Sequence, residues 1–478
     1  MLAFGGHQGG IRRSRSTWLL LALLATTPAC GEDFGSDPPP GPSEETWSRS
    51  FGDASTQRVN AVAVDAMGAV FVTGSFSGTT DFGGGPLDAA GNDTDLFVAK
   101  YDTNGDHLWS RRFGDSSRQS GLAIAVGSGG EIVVAGSFAG AIDLGSEFLQ
   151  STDGSDIFVL VLEPDGSPRY GRSHVGLGTD VPTAVAVDPA GNIVLGGYFD
   201  GDVAFGGDLL FAVGEDDIFL AKFLPSGDHV WSYAFGELGN DRVAAVSVDS
   251  GGNVAMTGTL SGGPVDFGGG PLDPGGGIDL SDDVFVDVVA PDGAHRWSRR
   301  FGDAQAQRGH GVAFASNDDV LIVGEFGGTI DFGGDSRTST GGTDAYLARL
   351  DGNGDPVYSN GFGVTGNQSA RCVAVGPSAE IFVAGVFNGA VTFGGAELQA
   401  EGEGPNDVFV ARLDSGGAHR GSVSFGDAFE QSVSGLATDA LSHAILVGNF
   451  NGTIDLGFGP HGTADDMDEN PFIAKLEL

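Results

Sequence analysis

Short apolar runs return along the chain from residue 59 onward, separated by Gly, Asp and Asn. One unit can be read from the first occurrence. "VNAVAVD" (59–65) leads through the turn "AMG" to "AVFVTGSF" (69–76), then a glycine-rich stretch begins with "DFGG". "DLFVAKYD" (95–102), the turn "TNGD" and "HLWSRRF" (107–113) complete it. Runs of this length, rich in β-branched and aromatic residues and bounded by turn formers, predict four strands. They are apolar on both faces rather than alternating, as in a sheet covered on each side. After residue 47 no stretch keeps the 3.6-residue period of a long helix.

The unit repeats. "WSRSFGD" (47–53) returns as "WSRRFGD" at 109 and 297, and more loosely at 170, 231, 358 and 421. Successive copies are 62, 61, 61, 66, 61 and 63 residues apart. Seven four-stranded sheets, each covered on both faces, predict an all-β fold, a seven-bladed β-propeller over residues 47–478. Small residues in "AVAVD" suit the innermost strand, where space is tightest. The last unit stops after its third strand, and the spare copy at 47 supplies the missing fourth. Pairing the N-terminal strand with the C-terminal one would close the ring and remove two sheet edges. An open array of hairpins would leave those edges bare and would need capping units.

"VNAVAVDAMGAVFVTGSFSGTTDFGG" and "PTAVAVDPAGNIVLGGYFDGDVAFGG" resemble the bacterial seven-bladed propeller repeat of the SBBP type, which is common in exported proteins of myxobacteria. The resemblance spans residues 47–478 and implies an architecture without a catalytic signature. Two copies depart from the pattern. His174 and Val175 stand where the others have Phe-Gly, and Gly421 takes the aromatic slot.

Composition sharpens the picture. Glycine accounts for 83 of 478 residues, without the Gly-x-y period of collagen, and suits many tight turns. Arg12, Arg13 and Arg15 precede "WLLLALLA" (18–25), a charged and then apolar pattern typical of an export signal over residues 1–29. The run ends in "TTPAC", which resembles a bacterial lipoprotein signal with Cys30 as the acylated residue. Ordinary cleavage after Ala29 is the alternative. Gly31 favours outer-membrane sorting. Residues 30–46, polar and proline-bearing, read as a tether. Cys372 is the one other cysteine, so no disulfide framework is available and it reads as a core residue. The net charge of −41 excludes nucleic acid and anionic lipid as direct partners, since both need a basic footprint.

Candidate chemistry is sparse. His107, His229, His295 and His419 share one position and suggest a strand-edge role; His310, His443 and His461 are scattered. The turns "DTNGD" (102–106) and "DGNGD" (351–355) have a calcium-loop flavour but lack the closing glutamate. Calcium is thus a weak cofactor expectation beside none. The pairs Asp81/Lys100, Asp331/Arg349 and Asp455/Lys475 fit only three of seven units. The most regular constellation follows each Phe slot by six residues: Gln57, Gln119, Asp180, Asp241, Gln307, Gln368 and Gln431. These seven should ring one mouth of the central channel, either capping backbone of the next blade or binding a ligand. The expected role is a monomeric binding or scaffolding module of the cell envelope, with a protein or glycan partner. A glycan hydrolase or lyase, or a purely structural surface protein, is the alternative.

Overall fold

The computed structural model describes residues 46–52, 55–274, 281–402, 405–462 and 469–478. The export segment 1–29, Cys30 and all of the tether but Thr46 lie outside the described residues. Every regular element described is a strand. The architecture is all-β, of the propeller type.

The pairing assembles seven four-stranded antiparallel sheets from the described residues, six of them with their strands in chain order. Sheet 1 runs Gln57–Val64, Val70–Phe76, Asp95–Tyr101 and His107–Phe113. The first strands of sheets 2 to 6 are Gln119–Val126, Asp180–Val187, Arg242–Val248, Gln307–Phe314 and Gln368–Val375. Sheet 7 takes Gln431–Thr438, Ala444–Phe450 and Asn470–Leu476, and its fourth strand is Trp47–Ser50. Trp47 lies opposite Lys475 and Ser50 opposite Phe472. Each first strand packs beside the first strand of the next sheet, and that of sheet 7 beside that of sheet 1.

Middle strands are buried over nearly their whole length, and Val70–Phe76 over all of it, because a neighbouring sheet covers each face. Fourth strands are half-exposed. After each second strand a short hairpin folds back onto its own sheet and plants one apolar side chain against the third strand. Phe82 does so in sheet 1, its ring stacked on Phe97 at 4.2 Å; Phe205 and Phe267 do the same in sheets 3 and 4. Burying one such ring is worth about 2 kcal/mol. Asp81 starts this hairpin, its Oδ1 accepting from the Gly83 and Gly85 amides (2.7 and 2.9 Å).

The repeated Trp joins sheets. Trp47 donates Nε1–H to the Thr103 carbonyl of sheet 1 (3.1 Å), Trp231 to Pro291 of sheet 4 (3.3 Å), and Trp297 to Gly352 of sheet 5 (3.1 Å). In each case the acceptor sits in the hairpin turn between the next sheet's third and fourth strands. The turn glycine lies under the ring: a β-carbon on Gly354, already at φ +78°, would stand 2.6 Å from Trp297. Only glycine satisfies both demands.

His107, His229, His295 and His419 each open a fourth strand and cover the hairpin glycines, a strand-edge role. His229, His295 and His419 also bond a serine hydroxyl three residues on, at 3.0 to 3.1 Å. Sheet 7 begins its fourth strand at Trp47 and takes its histidine from elsewhere. His461, in a hairpin slot that is leucine in five other sheets, bridges Ser48 (2.7 Å) and Ser50 (3.0 Å).

Candidate functional site: the first-strand ends

Gln57, Gln119, Asp180, Asp241, Gln307, Gln368 and Gln431 each stand at or immediately before the start of a first strand, one per sheet. All seven are fully buried. Gln119 shows their local role. Its Nε2 donates to the Ala141 carbonyl (2.8 Å) and Asp115 Oδ1 (3.1 Å), and its Oε1 accepts from the Asp115 amide (3.3 Å). Gln307 repeats this with Gly327 and Asp303, and Gln368 holds the Thr365 and Ala390 carbonyls. Asp241 reaches the same backbone as an acceptor, from the Glu237 and Ser261 amides (both 2.9 Å). The backbone held is that of the residue's own sheet and its entry loop, not that of the next sheet. An amide can donate and accept at once, which is why glutamine fills five of the seven slots.

Across from this residue stands a buried polar side chain near the start of the preceding sheet's third strand, an acid such as Asp95 of sheet 1 or Asp407 of sheet 6, or Asn470 in sheet 7. Gly114 of the Phe-Gly-Asp motif has both against it: a β-carbon there would lie 2.5 Å from Asp95 Oδ1 and 2.7 Å from Gln119 Oε1. Burial raises the Asp95 carboxyl above its ordinary range, and pushes that of Asp407 up to about 6. The extreme case is Asp180. There Asp156 faces a second carboxyl instead of an amide, and both Asp180 oxygens are buried without a hydrogen-bond partner. Burial, then repulsion from Asp156, Asp200 and Asp202, pushes Asp180 up to about 8. This is also the entry loop where His174 and Val175 replace Phe-Gly. His174 fills the Phe slot, packed on Phe205 and Phe223, and burial lowers it to about 4.

One cluster has no counterpart in the other sheets. Each first strand carries a bulge against the second, at one shared position. In sheets 5 and 6 the bulged residues are His310 and Arg371, 3.2 Å apart. Glu325 gathers them, lying 3.1 Å from Arg308, 3.8 Å from His310 and 3.9 Å from Arg371. Burial works to raise Glu325, but the imidazole, Ser369 and Arg371 hold it well below the usual carboxylate range. His310, one of the scattered histidines of the sequence, thus belongs to a charged network between two sheets. Two bulge positions in successive units both holding cationic or imidazole groups were the available signal.

Other expectations resolve differently. Lys475 and Arg349 do not bond Asp455 and Asp331. They pair with Asp439 (2.9 Å) and Asp319 (2.8 Å), and Lys100 stands 4.0 Å from Asp65. The partner comes from the end of the first strand or four residues beyond it. Lys475 also donates to Thr103, the carbonyl that Trp47 uses, so one oxygen ties two sheets. The "DTNGD" turn closes on itself: Asp102 Oδ1 accepts from the Asn104 and Asp106 amides (2.8 and 2.9 Å), and Asp351 does the same. Among the described residues, no group of three or more His, Cys, Asp or Glu is placed to hold a metal ion. Cys372, on the first strand of sheet 6, has its thiol pushed up to about 12 by burial.

No family model matches the chain. It is similar to the regulatory protein FlaEY of Caulobacter vibrioides, 28% identical over 205 residues; the match covers 40% of this chain and spans 20% of the relative's length. Similar solved structures include Sqt1 from Chaetomium thermophilum (12% identity, 91% of this chain and 100% of that one, TM-score 0.43). The WD40 propeller domain of Doa1 (9%, 90% and 98%, 0.40) and a puromycin hydrolase (12%, 83% and 51%, 0.45) are others.

Proposed function

We propose that the seven sheets are the blades of one ring, fastened where the N-terminal strand completes sheet 7, in a chain of the SBBP repeat type. We further propose that it is exported, held at the outer membrane through Cys30 and the tether, and serves as a monomeric binding or scaffolding module for an envelope protein or glycan. One observation carries the binding reading. The buried residues repeat almost unchanged from sheet to sheet, whereas the residue after each buried Gln or Asp does not: Arg58, Ser120, Val181, Arg242, Arg308, Ser369 and Ser432. A uniform frame with a varied rim suits recognition of a partner without internal symmetry. In this reading the seven buried side chains shape the mouth, and the accessible ones among their neighbours, Arg58 and Arg242 foremost, meet the ligand.

The test is cross-linked capture from native envelopes with the intact protein and with Arg58→Ala/Arg242→Ala/Arg308→Ala, after the variant is shown to fold. A partner lost from the folded variant supports the reading. A partner indifferent to it removes the mouth as the site.

The Arg308–His310–Glu325–Arg371 cluster favours a second reading, a glycan-active hydrolase or lyase, because it breaks the repeat. Turnover of envelope glycans that disappears in Glu325→Gln would establish it.

A further inference from the structure

Sheet 3 carries an exposed apolar row that the other units lack. Its hairpin (202–203 and 210–211) is joined by residues 176–177 of the entry loop into a three-stranded sheet, while the other hairpins described are two-stranded. Leu177, Asp202 and Phe211 stand opposite one another across it. Leu209 and Val213 stand two residues to either side of Phe211, just outside that short strand. The Glu215 amide donates to the Gly239 carbonyl (3.0 Å), which brings Leu238 of the next entry loop to the end of the row. All five apolar side chains are exposed, Phe211 to 63% and Leu238 to 73%. In the other six units the Phe211 slot holds Asp88, Gln150, Asp273, Thr338, Gln399 and Gly462. Phe148 of the sheet 2 hairpin is exposed as well, but with Gln150 and Thr152 after it instead of further apolar residues, so a row forms at sheet 3 and not there.

The charge around the row selects its partner. From 176 to 241 the chain has eleven Asp and Glu but one Lys and no Arg. That lysine, Lys222, is buried against Asp188 at 2.9 Å. Asp208, Glu215 and Glu237 are exposed beside the apolar side chains. Arg242 is the nearest arginine in sequence and is bonded to Asp216.

We propose that this row is a docking surface for a cationic, apolar polypeptide segment, with Leu or Phe side chains meeting Leu177, Leu209, Phe211 and Val213, and Lys or Arg meeting the flanking carboxylates. The proposal rests on the binding-module reading and names a partner class for it. An acidic segment is repelled, and a purely polar one leaves the row uncovered.

The probe is a synthetic extended peptide alternating lysine with valine and phenylalanine, compared by fluorescence anisotropy with the same peptide carrying glutamate for lysine. The full chain binds the lysine peptide and not the glutamate peptide, and added salt weakens the complex. Leu209→Ser/Phe211→Ser, at exposed positions where the fold loses little, weakens binding about tenfold or more. Glu215→Lys/Glu237→Lys also weakens it. Failure of the lysine peptide to bind, equal binding of the glutamate peptide, or equal binding by the serine variant overturns the proposal. Repeating the envelope capture with the serine variant separates the two readings: a partner fully retained there keeps the binding module and removes this surface as its site.

Discussion

Six of the junctions between neighbouring sheets carry an aromatic ring laid over the next sheet's turn glycine; the junction of sheets 6 and 7 has Gly421 instead. The sequence marks Gly421 as a defect in a repeat, and the structure gives the reason for it. Sheet 7 has no turn between its third and fourth strands, because Asn470–Leu476 and Trp47–Ser50 are not consecutive in the chain. Leu478 occupies the space: a β-carbon on Gly421 would lie 3.1 Å from its carbonyl carbon. Arg412 takes over the fastening, donating to the Leu478 carbonyl (2.9 Å) and to Glu380 (3.1 Å). The aromatic slot therefore serves the neighbouring sheet's turn and not its own sheet, and it lapses where that turn is missing.

Four experiments sharpen the contrast, taken from the largest effect down. Trp297→Ala removes a buried ring and its bond to Gly352 from a regular junction, and should cost about 4 kcal/mol in chemical denaturation. A loss near zero would show that the ring merely covers the turn. Lys475→Met breaks the ion pair at the junction of sheets 7 and 1. Although burial works the other way, Lys475 and then His443 hold Asp439 down at about 2, so the variant leaves a buried carboxylate that has lost its ammonium partner and keeps only its Leu441 and His443 hydrogen bonds. The expected cost is about 3 kcal/mol, with much of it regained in Lys475→Met/Asp439→Leu.

The third experiment concerns the irregular entry to sheet 3. Asp180 is raised from 3.8 to about 8, so folding favours its protonated form. Its contribution is fully present below the unfolded value near 4 and is lost as pH rises through 8. The urea midpoint of the intact chain should drop by the equivalent of about 2 kcal/mol across that window. Asp180→Gln, which installs the residue found in five other sheets, should flatten the profile; unchanged profiles would remove Asp180 as its source. The smallest effect is expected at the broken junction. Arg412→Ala leaves the Leu478 carbonyl to water and should cost about 1 kcal/mol by the same denaturation. A cost matching that of Trp297→Ala would mean that the arginine replaces the ring in full.

Strands, turns and repeat slots were legible because they obey local rules: apolar runs both faces of which are covered, and turn formers between them. The offset of the first "WSRSFGD" copy placed Trp47–Ser50 as the fourth strand of the last sheet from counting alone. Partners of individual polar groups were not legible. Lys100, Arg349 and Lys475 occupy one slot, but the carboxylates they meet alternate between two slots four residues apart (Asp65 and Asp439 in one, Asp319 in the other), so no single spacing reveals them. The seven Gln and Asp residues share one buried position per sheet, yet glutamine looks the same in sequence whether it holds backbone or awaits a ligand. Only burial tells those roles apart. His310 and Arg371 were hidden because a bulge, not a motif, turns them toward each other.

The pairing of Trp47–Ser50 with Asn470–Leu476 also has a consequence in time. Among the described strands, the one that completes sheet 7 is made before all the others, and its partner after them. Until Asn470–Leu476 is made, Trp47–Ser50 has neither its strand partner nor Lys475 beside it and carries a bare edge. Joining two segments this far apart in sequence is a late, entropically costly step. Its rate should depend on Asn470–Leu476 being in place and not on protein concentration. A nascent chain lacking the last unit is then the species most exposed to wrong strand pairing, and a helper that shields the edge would act on it.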